Sequence, residues 1–360
     1  MTAPDGSADG GEPAPITLRL LFYNAFLLRL RLPWPGGGPE LAGKPACGAR
    51  AVELGRAVAG RYDVVALAEV FDRVDRNAVL DGWTTRQPVH AVGPRRSFVP
   101  LALKSSGLVT ILDGPILVRR AAHRFRQRGA YRRDADAFSN KGVLLTEVDV
   151  GARGNVEIYS THLIAGNDFL RKRPGGPYRA NADLRQQQAD ELVGFIGRSH
   201  RAGNAAVVVG DFNVPADDQS DADPGAQYQA LCDAMAGAGF DDLWTAHGSG
   251  PGFTGLGQPI GVTCRPDPVA PDLCAEPADP SNESSAARID YAWLQRPVSP
   301  GTPHISVRSF RRRAFRRDPR TDGYRDLPFL SDHLALDLEL AIEARRGARD
   351  RSTPREGVRT

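Results

Sequence analysis

The chain has 360 residues, with 41% hydrophobic and 25% charged residues and a formal net charge of +3. This composition is typical of a soluble globular protein, and so small a charge gives no global argument for nucleic-acid or membrane binding. No apolar run reaches the roughly 18 residues that span a bilayer. The polar segment over residues 1–15 lacks the basic start and apolar stretch of a signal peptide. We therefore expect a cytoplasmic protein, with secretion by another route still open.

Apolar runs alternate with turn-rich segments between two polar ends of the chain. We expect a disordered N-terminal tail over residues 1–15, one domain over residues 16–340, and a disordered, charged tail over residues 341–360. No internal repeat and no long linker divides the central part. The chain is long enough to bury a substantial single core.

Predicted strands outnumber predicted helices. In chain order, the apolar runs predict strands at Thr17–Phe22, Val64–Ala68, Gly107–Leu112, Val143–Val150, Val156–Ser160, Ala205–Val209, Ile289–Leu294 and Leu334–Leu340. Helical spacing of apolar residues predicts helices at Arg50–Ala59, Leu184–Ile196 and Gln227–Ala236. The helices come singly between groups of strands. This order favours two sheets packed face to face with helices outside, rather than a doubly wound parallel sheet.

The four cysteines, Cys47, Cys232, Cys264 and Cys274, give little support for structural zinc, because no CxxC pair and no HExxH motif occurs. Cys264 and Cys274 lie in one Pro-rich segment and can pair in an oxidising compartment. Reduced thiols are the alternative interpretation.

Polar residues occur where the apolar strand segments end. They are Asn24, Glu69, His162, Asp211, Asn213, Asp290, Asp332 and His333. Turns at the ends of buried strands present reactive side chains from a rigid scaffold, and buried carboxylates need a partner such as a metal ion. Taken singly, each has a structural alternative: a solvated acid, an Asx-turn or a helix cap. Their joint occurrence favours one oxygen-rich site of the kind that suits Mg²⁺.

These motifs resemble the endonuclease/exonuclease/phosphatase superfamily of deoxyribonuclease-like enzymes. The matching segments are LLFYNAF, VVALAEVFD, YSTHL, VVVGDFNV, RIDYAWL and LSDHLAL, and together they span residues 17–340. The resemblance implies a four-layer α/β/β/α sandwich of two mixed sheets with outer helices. It also implies a metal-dependent phosphoric diester hydrolase.

Flanking segments are closest to the sphingomyelinase C branch of that superfamily. FSNKGVLLTEV at Phe138–Val148 is the most telling, and AEVFD also resembles that branch. The chain departs from the family pattern at Ala68, at Leu108 and in the Pro- and Gly-rich stretch Arg29–Gly38. The resemblance thus predicts a sphingomyelin phosphodiesterase-like enzyme of lipid metabolism. A nuclease, a phosphatase of the same superfamily and a catalytically silent binding member are the alternatives.

The resemblance also implies roles for the site residues. Glu69, helped by Asn24, is expected to bind Mg²⁺, for which Mn²⁺ or Co²⁺ can substitute. Asp332 is expected near the metal or beside a residue that binds it.

The other five residues, together with Asp332, are expected to carry the catalysis. The resemblance makes His333 the general base, oriented by Asp290. Asp211 and Asn213 are expected to position water and phosphate, and His162 to stabilise the transition state or the leaving group.

An arginine-rich stretch precedes the last motif. Arg308–Phe329 interleaves basic and aromatic residues, which suits contact with a lipid headgroup at a membrane surface or with nucleic acid. A solvated charged loop is the structural alternative. We expect a phosphodiester substrate as the binding partner, and a monomer.

Overall fold

The computed structural model describes residues 14–31, 40–43, 46–85, 88–95, 97, 104–131, 134–165, 181–216, 225–250, 252–255, 287–297, 302–317 and 329–343. The strands are β1 (Ile16–Leu27), β2 (Arg29–Arg31), β3 (Glu40–Gly43), β4 (Val64–Val70), β5 (Val89–Val92), β6 (Val109–Leu112), β7 (Ile116–Arg124), β8 (Gly142–Asp149), β9 (Asn155–His162), β10 (Ala205–Asp211), β11 (Phe240–Asp242), β12 (Asp290–Gln295), β13 (His304–Arg313) and β14 (Ala335–Glu343). The helices are α1 (Cys47–Val58), α2 (Arg73–Asp81), α3 (Ala182–Ser199), α4 (Ala226–Gly237) and α5 (Leu243–His247).

Two mixed six-stranded sheets form the centre of the fold. Sheet I has the order β13-β14-β1-β4-β6-β5, and sheet II has the order β11-β12-β10-β9-β8-β7. One pair in each sheet is parallel, β1 with β4 and β9 with β10. Because parallel strands end at the same edge of a sheet, the ends of these four strands define one rim of the sandwich.

The strands alternate their side chains between two apolar layers. In β1, Leu20 and Phe22 enter the core between the sheets, while Leu21 and Tyr23 face the helices outside sheet I. The inner core receives Val207 and Val209 from sheet II. Both faces of each central strand are therefore buried, which explains why the strands appear in the sequence as nearly continuous apolar runs.

Helices cover the outer face of each sheet. Leu54 of α1 and Val79 of α2 pack on sheet I, whereas Leu192 of α3 and Leu231 of α4 pack on sheet II. The predicted sandwich of two mixed sheets with outer helices is confirmed. In the part of the chain that the structure describes, no helix is both long and apolar enough to cross a bilayer.

All eight predicted strands and all three predicted helices are present, with ends shifted by a few residues. The structure adds several elements that the sequence analysis did not assign, among them α2, β5, β7 and β13. The edge strand β7 alternates exposed and half-buried residues and includes four charged or polar side chains, so it lacks the apolar run of a central strand. The helix α2 begins at its N-cap Asp72, whose side chain accepts from the Val74 N–H.

The arginine-rich stretch is structured where the chain is described. Its first part forms β13, an edge strand paired with β14. Arg313 makes an ion pair with Asp337 at 2.7 Å, and Arg312 donates to the Phe253 carbonyl and stacks on Trp244. These buried arginines hold the fold together, so this part of the stretch is not a free charged loop. Residues 318–328 lie outside the described residues, as do Cys264, Cys274 and the two predicted tails apart from residues 14–15 and 341–343.

Candidate active site

The eight predicted site residues gather on the rim where the parallel strands end. Asn24 lies in β1, Glu69 in β4, His162 and Asp211 at the ends of β9 and β10, Asn213 just beyond, Asp290 at the start of β12, and Asp332 and His333 just before β14. Strand register fixes their neighbourhood, because Asp211 pairs with His162 on one side and with Asp290 on the other.

Asn24 joins the two sheets across the site. Its Nδ2 donates to Asp211 Oδ2 at 2.9 Å and lies 3.4 Å from His333 Nε2. Its Oδ1 accepts from the Phe26 N–H at 3.1 Å, and its backbone carbonyl accepts from the Ser331 hydroxyl. Asn24 is thus held rigidly, with its amide pointing at the carboxylate of the opposite sheet.

His333 and Asp290 form an oriented pair. His333 Nδ1 lies 2.8 Å from Asp290 Oδ2, which leaves Nε2 directed at the site, 4.0 Å from Asp211 Oδ2. Burial alone lowers the pKa of His333, but the carboxylates of Asp290, Asp211 and Asp332 outweigh it and hold that pKa well above its ordinary value. The ring can therefore accept and hold a proton at this position.

Glu69 is held in a strained backbone conformation. Its φ is 59°, in the left-handed region, beside a register shift between β1 and β4. Such irregularities redirect a side chain at a strand end and cluster at functional sites. Its Oε2 atom is buried and has no hydrogen-bond partner, and burial together with the Asp332 carboxylate raises its pKa.

Asp211 lies at the centre of the acidic cluster. Its Oδ1 accepts from the Asn213 N–H at 2.9 Å, while Asn213 Nδ2 donates to the Leu163 carbonyl. Burial and the neighbouring Asp290 raise the pKa of Asp211 to about 7. Asn213, like Glu69, has a positive φ of 51°. The turn after β10 thus presents a carboxylate whose ionised form lacks sufficient compensation from the protein.

The donor set fits a hard divalent cation. Single ligand atoms of Asp211, Asp290 and His333 lie within 4.8 Å of one another. Glu69 Oε2 and Asp290 Oδ1 are buried acceptors that no group in the described residues satisfies. Buried carboxylate oxygens that receive no hydrogen bond are the environment that a bound Mg²⁺ stabilises.

Lys141 belongs to the site, although the sequence analysis did not single it out within the FSNKG segment. Its ammonium lies 2.8 Å from His162 Nε2, 2.7 Å from the Leu163 carbonyl and 2.9 Å from Asp136 Oδ2. An ammonium has only donors, so His162 Nε2 must be the acceptor. Burial and Lys141 lower the pKa of His162 well below its ordinary value, which keeps the ring neutral.

A second lysine borders the mouth. The Lys104 ammonium lies 5.2 Å from the centre of the Phe71 ring, and that ring is 6.5 Å from the His162 ring. Burial lowers the pKa of Lys104, while Asp136 and Glu69 oppose that effect. Lys104 and Lys141 therefore both place positive charge within electrostatic range of Glu69, where a phosphate group would meet it.

Comparison with known proteins agrees with this geometry. Residues 36–333 match the Endonuclease/Exonuclease/phosphatase family. A curated relative, the putative neutral sphingomyelinase of Caenorhabditis elegans, is 27% identical over 200 residues, which is 55% of this chain and 41% of the relative. The match thus spans less than half the length of that relative.

Solved structures share the fold. The beta toxin of Staphylococcus aureus, in a mutant form with bound magnesium ions, aligns with a TM-score of 0.56 and 16% identity over 90% of this chain and 99% of that one. Sphingomyelinase C from Streptomyces griseocarneus aligns with a TM-score of 0.52 and 17% identity over 90% and 99% of the two chains. Identities this low establish the architecture of the sandwich, and the chemistry has to be argued from the site.

Proposed function

The chain belongs to the endonuclease/exonuclease/phosphatase family, and from this premise we propose that it is a divalent-metal-dependent phosphodiesterase. One observation carries the proposal: the carboxylates of Glu69, Asp211 and Asp290 meet at one rim, and two of their buried oxygens, Glu69 Oε2 and Asp290 Oδ1, have no hydrogen-bond partner among the described residues. A structural cluster of buried acids would be paired by the protein itself.

Glu69 and Asn24 are the residues proposed to hold Mg²⁺, with Asp211 and Asp332 adding negative charge beside them. When bound, the ion supplies Lewis-acid stabilisation of the charge that develops on the phosphate oxygens. Mn²⁺ and Co²⁺ offer the same chemistry to these oxygen ligands and can replace it.

His333 is the proposed general base. Asp290 fixes its ring, so Nε2 faces the place where a water beside Asp211 would lie. The water oxygen forms the new bond to phosphorus and its proton passes to Nε2, while the ester bond breaks and the departing oxygen takes up a proton from solvent to leave as the alcohol. The carboxylates around His333 hold its pKa high. A bound cation would offset their charge and lower that pKa, which would leave Nε2 free to accept the proton of the water.

Lys141 and His162 lie on the other side of the cluster. Lys141 donates to His162 Nε2 and carries the positive charge closest to that ring among the described contacts. We propose that this pair stabilises the negative charge that grows on the phosphate and on the departing oxygen. Asn213 positions Asp211 through its backbone N–H.

The proposed substrate is a phospholipid phosphodiester of the sphingomyelin class. Similarity to the putative neutral sphingomyelinase and the FSNKG segment before β8 support this choice. Hydrolysis would release a phosphorylated headgroup, such as phosphocholine, and a ceramide-like lipid.

A substrate panel with Mg²⁺ tests the proposal. It comprises sphingomyelin, a lysophospholipid, plasmid DNA and inositol phosphates, each with the wild-type chain and with Asp290→Asn as a matched inactive control. Release of phosphocholine by the wild type alone is the expected result. Nicking of DNA without lipid hydrolysis would assign a nuclease, and no turnover on any substrate would contradict the proposal.

A further inference from the structure

Exposed apolar side chains concentrate on one side of the sandwich. The large apolar residues with the greatest exposed fractions in the described part of the chain are Ile116 at 67%, Val89 at 50%, Val118 at 44%, Tyr131 at 44% and Val74 at 43%. Ile116 and Val118 lie on β7, Val89 on β5 and Val74 on α2. Tyr131 differs from the others because its ring packs against another aromatic ring 5.2 Å away.

The strands β5 and β7 are the last strands of sheets I and II, and they lie at the same edge of the sandwich, because β5 packs against β8, the neighbour of β7. On β7, Arg119 and His123 point toward α3, where they contact the Ser199 carbonyl and Glu191. Residues alternate along a strand, so Arg120 and Arg124 point the other way, toward β5, and both are exposed.

Several basic side chains lie at the same edge of the sandwich. Burial lowers the pKa of Arg76, and the positive charges of Arg73 and Arg95 lower it further. The charges of Arg76 and Arg120 in turn act on His90, the β5 residue next to Val89. These shifts place five basic groups from α2, β5 and β7, and from the turn after β5, within electrostatic range of one another.

Among the described residues, little negative charge compensates the positive charge on this surface. The Nε atom of Arg76 is buried and has no hydrogen-bond partner within that part of the chain. Asp72 partly offsets the charge on Arg76, but its side chain is engaged in capping α2. Arginines that stabilise a fold pair with carboxylates, as Arg313 does with Asp337. A group of mutually repelling arginines is therefore suited to an external anion.

This surface also adjoins the mouth of the site. The side-chain amide of Asn140 donates to the carbonyl of Arg95, and Asn140 directly precedes Lys141, whose ammonium contacts His162. Arg73 follows Glu69 by four residues at the start of α2. A planar anionic surface in contact with these arginines would lie beside the opening through which a substrate reaches the acidic cluster.

We propose that the basic edge, which comprises Arg73, Arg76, His90, Arg95, Arg120, Val89, Ile116 and Val118, docks the enzyme on an anionic phospholipid bilayer. Arginines bind the anionic headgroups, and the aliphatic side chains between them enter the interface. Nucleic acid fits less well, because base stacking needs aromatic side chains and the sequences of β5 and β7, VHAV and ILVRRAAHR, have no Phe, Tyr or Trp.

Vesicle binding by the full chain tests the proposal, with chelator present so that no turnover occurs. Sedimentation is measured with phosphatidylcholine vesicles that contain or lack phosphatidylserine, and binding to single-stranded DNA is measured in parallel. The arginine variant is Arg73→Gln/Arg95→Gln/Arg120→Gln, at three exposed positions. Its matched control is Arg56→Gln/Arg198→Gln/Arg296→Gln, which removes the same charge from exposed positions elsewhere.

The wild type is expected to prefer phosphatidylserine-containing vesicles. Each arginine near an anionic surface contributes about fivefold, so the arginine variant should bind on the order of a hundredfold more weakly while its control changes little. Ile116→Ser/Val118→Ser should weaken vesicle binding by about tenfold and leave any DNA binding unchanged. Hydrolysis of a water-soluble phosphodiester should be unaffected by these substitutions.

Equal binding to both kinds of vesicle, or equal losses in the arginine variant and its control, would overturn the proposal. Binding to DNA in place of vesicles would assign the basic edge to nucleic acid instead. The inference rests on the proposed function only in that a lipid substrate must be reached at a bilayer. Vesicle binding without turnover in any assay would refute the proposed function and leave the docking surface intact.

Discussion

The two ends of β9 both hold buried carboxylates, and the protein treats them in opposite ways. At the start of the strand, Glu157 lies directly opposite Glu147 of β8, and both are fully buried. At the other end, His162 meets Glu69 and Asp211. Like charges placed opposite each other are unfavourable, so each end requires positive charge from somewhere.

The protein itself supplies that charge at the Glu147–Glu157 end. Arg119 bridges the two carboxylates at 2.7 and 3.1 Å, His200 contacts Glu157 at 2.8 Å, and Asn204 donates to both. Although burial opposes the shift, these donors together hold the pKa values of Glu147 and Glu157 below their ordinary range. This end is a self-contained polar network that contributes to stability.

The end of β9 at His162 has fewer hydrogen-bond donors and positive charges to compensate its carboxylates. Burial raises the pKa of Glu69, and the pKa of Asp211 rises to about 7. Burial of a carboxylate therefore does not by itself mark a functional site. What distinguishes the candidate site is that Glu69 Oε2 and Asp290 Oδ1 have no hydrogen-bond partner among the described residues, which leaves them available to a ligand.

Replacing one histidine at each end should separate the two regions most strongly. We expect His333→Ala to lower kcat/KM by roughly a thousandfold, because the general base is lost, with little change in thermal stability. His200→Ala should reduce stability and leave kcat/KM per folded molecule near the wild-type value. Steady-state kinetics and thermal unfolding of the two variants check this, and equal kinetic losses in both would invalidate the distinction.

Glu157→Gln should destabilise the fold by roughly 2–3 kcal/mol, because Arg119 and His200 lose their charged acceptor. Carboxyls with lowered pKa values stabilise the fold above their ordinary pKa of 4.5, and that contribution is lost as the pH falls through the folded value. The difference in free energy of unfolding from wild type should therefore be full at neutral pH and shrink below 4.5. Urea titrations across that range measure it, and a difference that grows on acidification would argue against the network.

Glu69→Gln should stabilise the fold, in contrast to Glu157→Gln, and its effect should be the smallest of the three. In metal-free protein it should raise the free energy of unfolding by about 1 kcal/mol at neutral pH, because a buried charge is removed. Its raised pKa means that the charge destabilises the fold as the pH rises above 4.5, so the gain should vanish at lower pH. Mg²⁺ should raise the unfolding temperature of the wild type and not that of the variant. Differential scanning calorimetry with and without Mg²⁺ measures both effects. A metal-free variant less stable than the wild type, or an equal Mg²⁺ effect in both proteins, would contradict the prediction.

Much of the site was predictable because its residues follow apolar strand segments. The runs before Glu69 and Asp211 predicted both strands, and parallel pairing with β1 and β9 then placed Glu69 close to Asn24 and Asp211 beside His162. The likeness of the motifs to one superfamily supplied the four-layer arrangement of sheets and helices, which apolar periodicity alone does not determine.

Other features depend on contacts between distant segments and give no local signal. Lys141 enters the site through Asp136 and His162, and the sequence shows it only as one basic residue in a Ser-Asn-Lys-Gly turn. The pairing of Glu157 with Arg119 joins residues 38 positions apart, on strands that are not neighbours in their sheet. The edge strands β7 and β13 were missed because exposed edges tolerate charged residues, so their patterns are those of loops.

Hydrolysis of a phosphodiester substrate as a function of Mg²⁺ concentration, in the wild type, Glu69→Gln and Glu157→Gln, tests the central claim most directly. We predict saturable, chelator-sensitive turnover in the wild type, the same Mg²⁺ dependence in Glu157→Gln, and almost no turnover at any Mg²⁺ concentration in Glu69→Gln. Turnover that resists chelation, or a Glu69→Gln variant with the wild-type Mg²⁺ dependence, would contradict the assignment of the unpartnered carboxylates to a metal-dependent site.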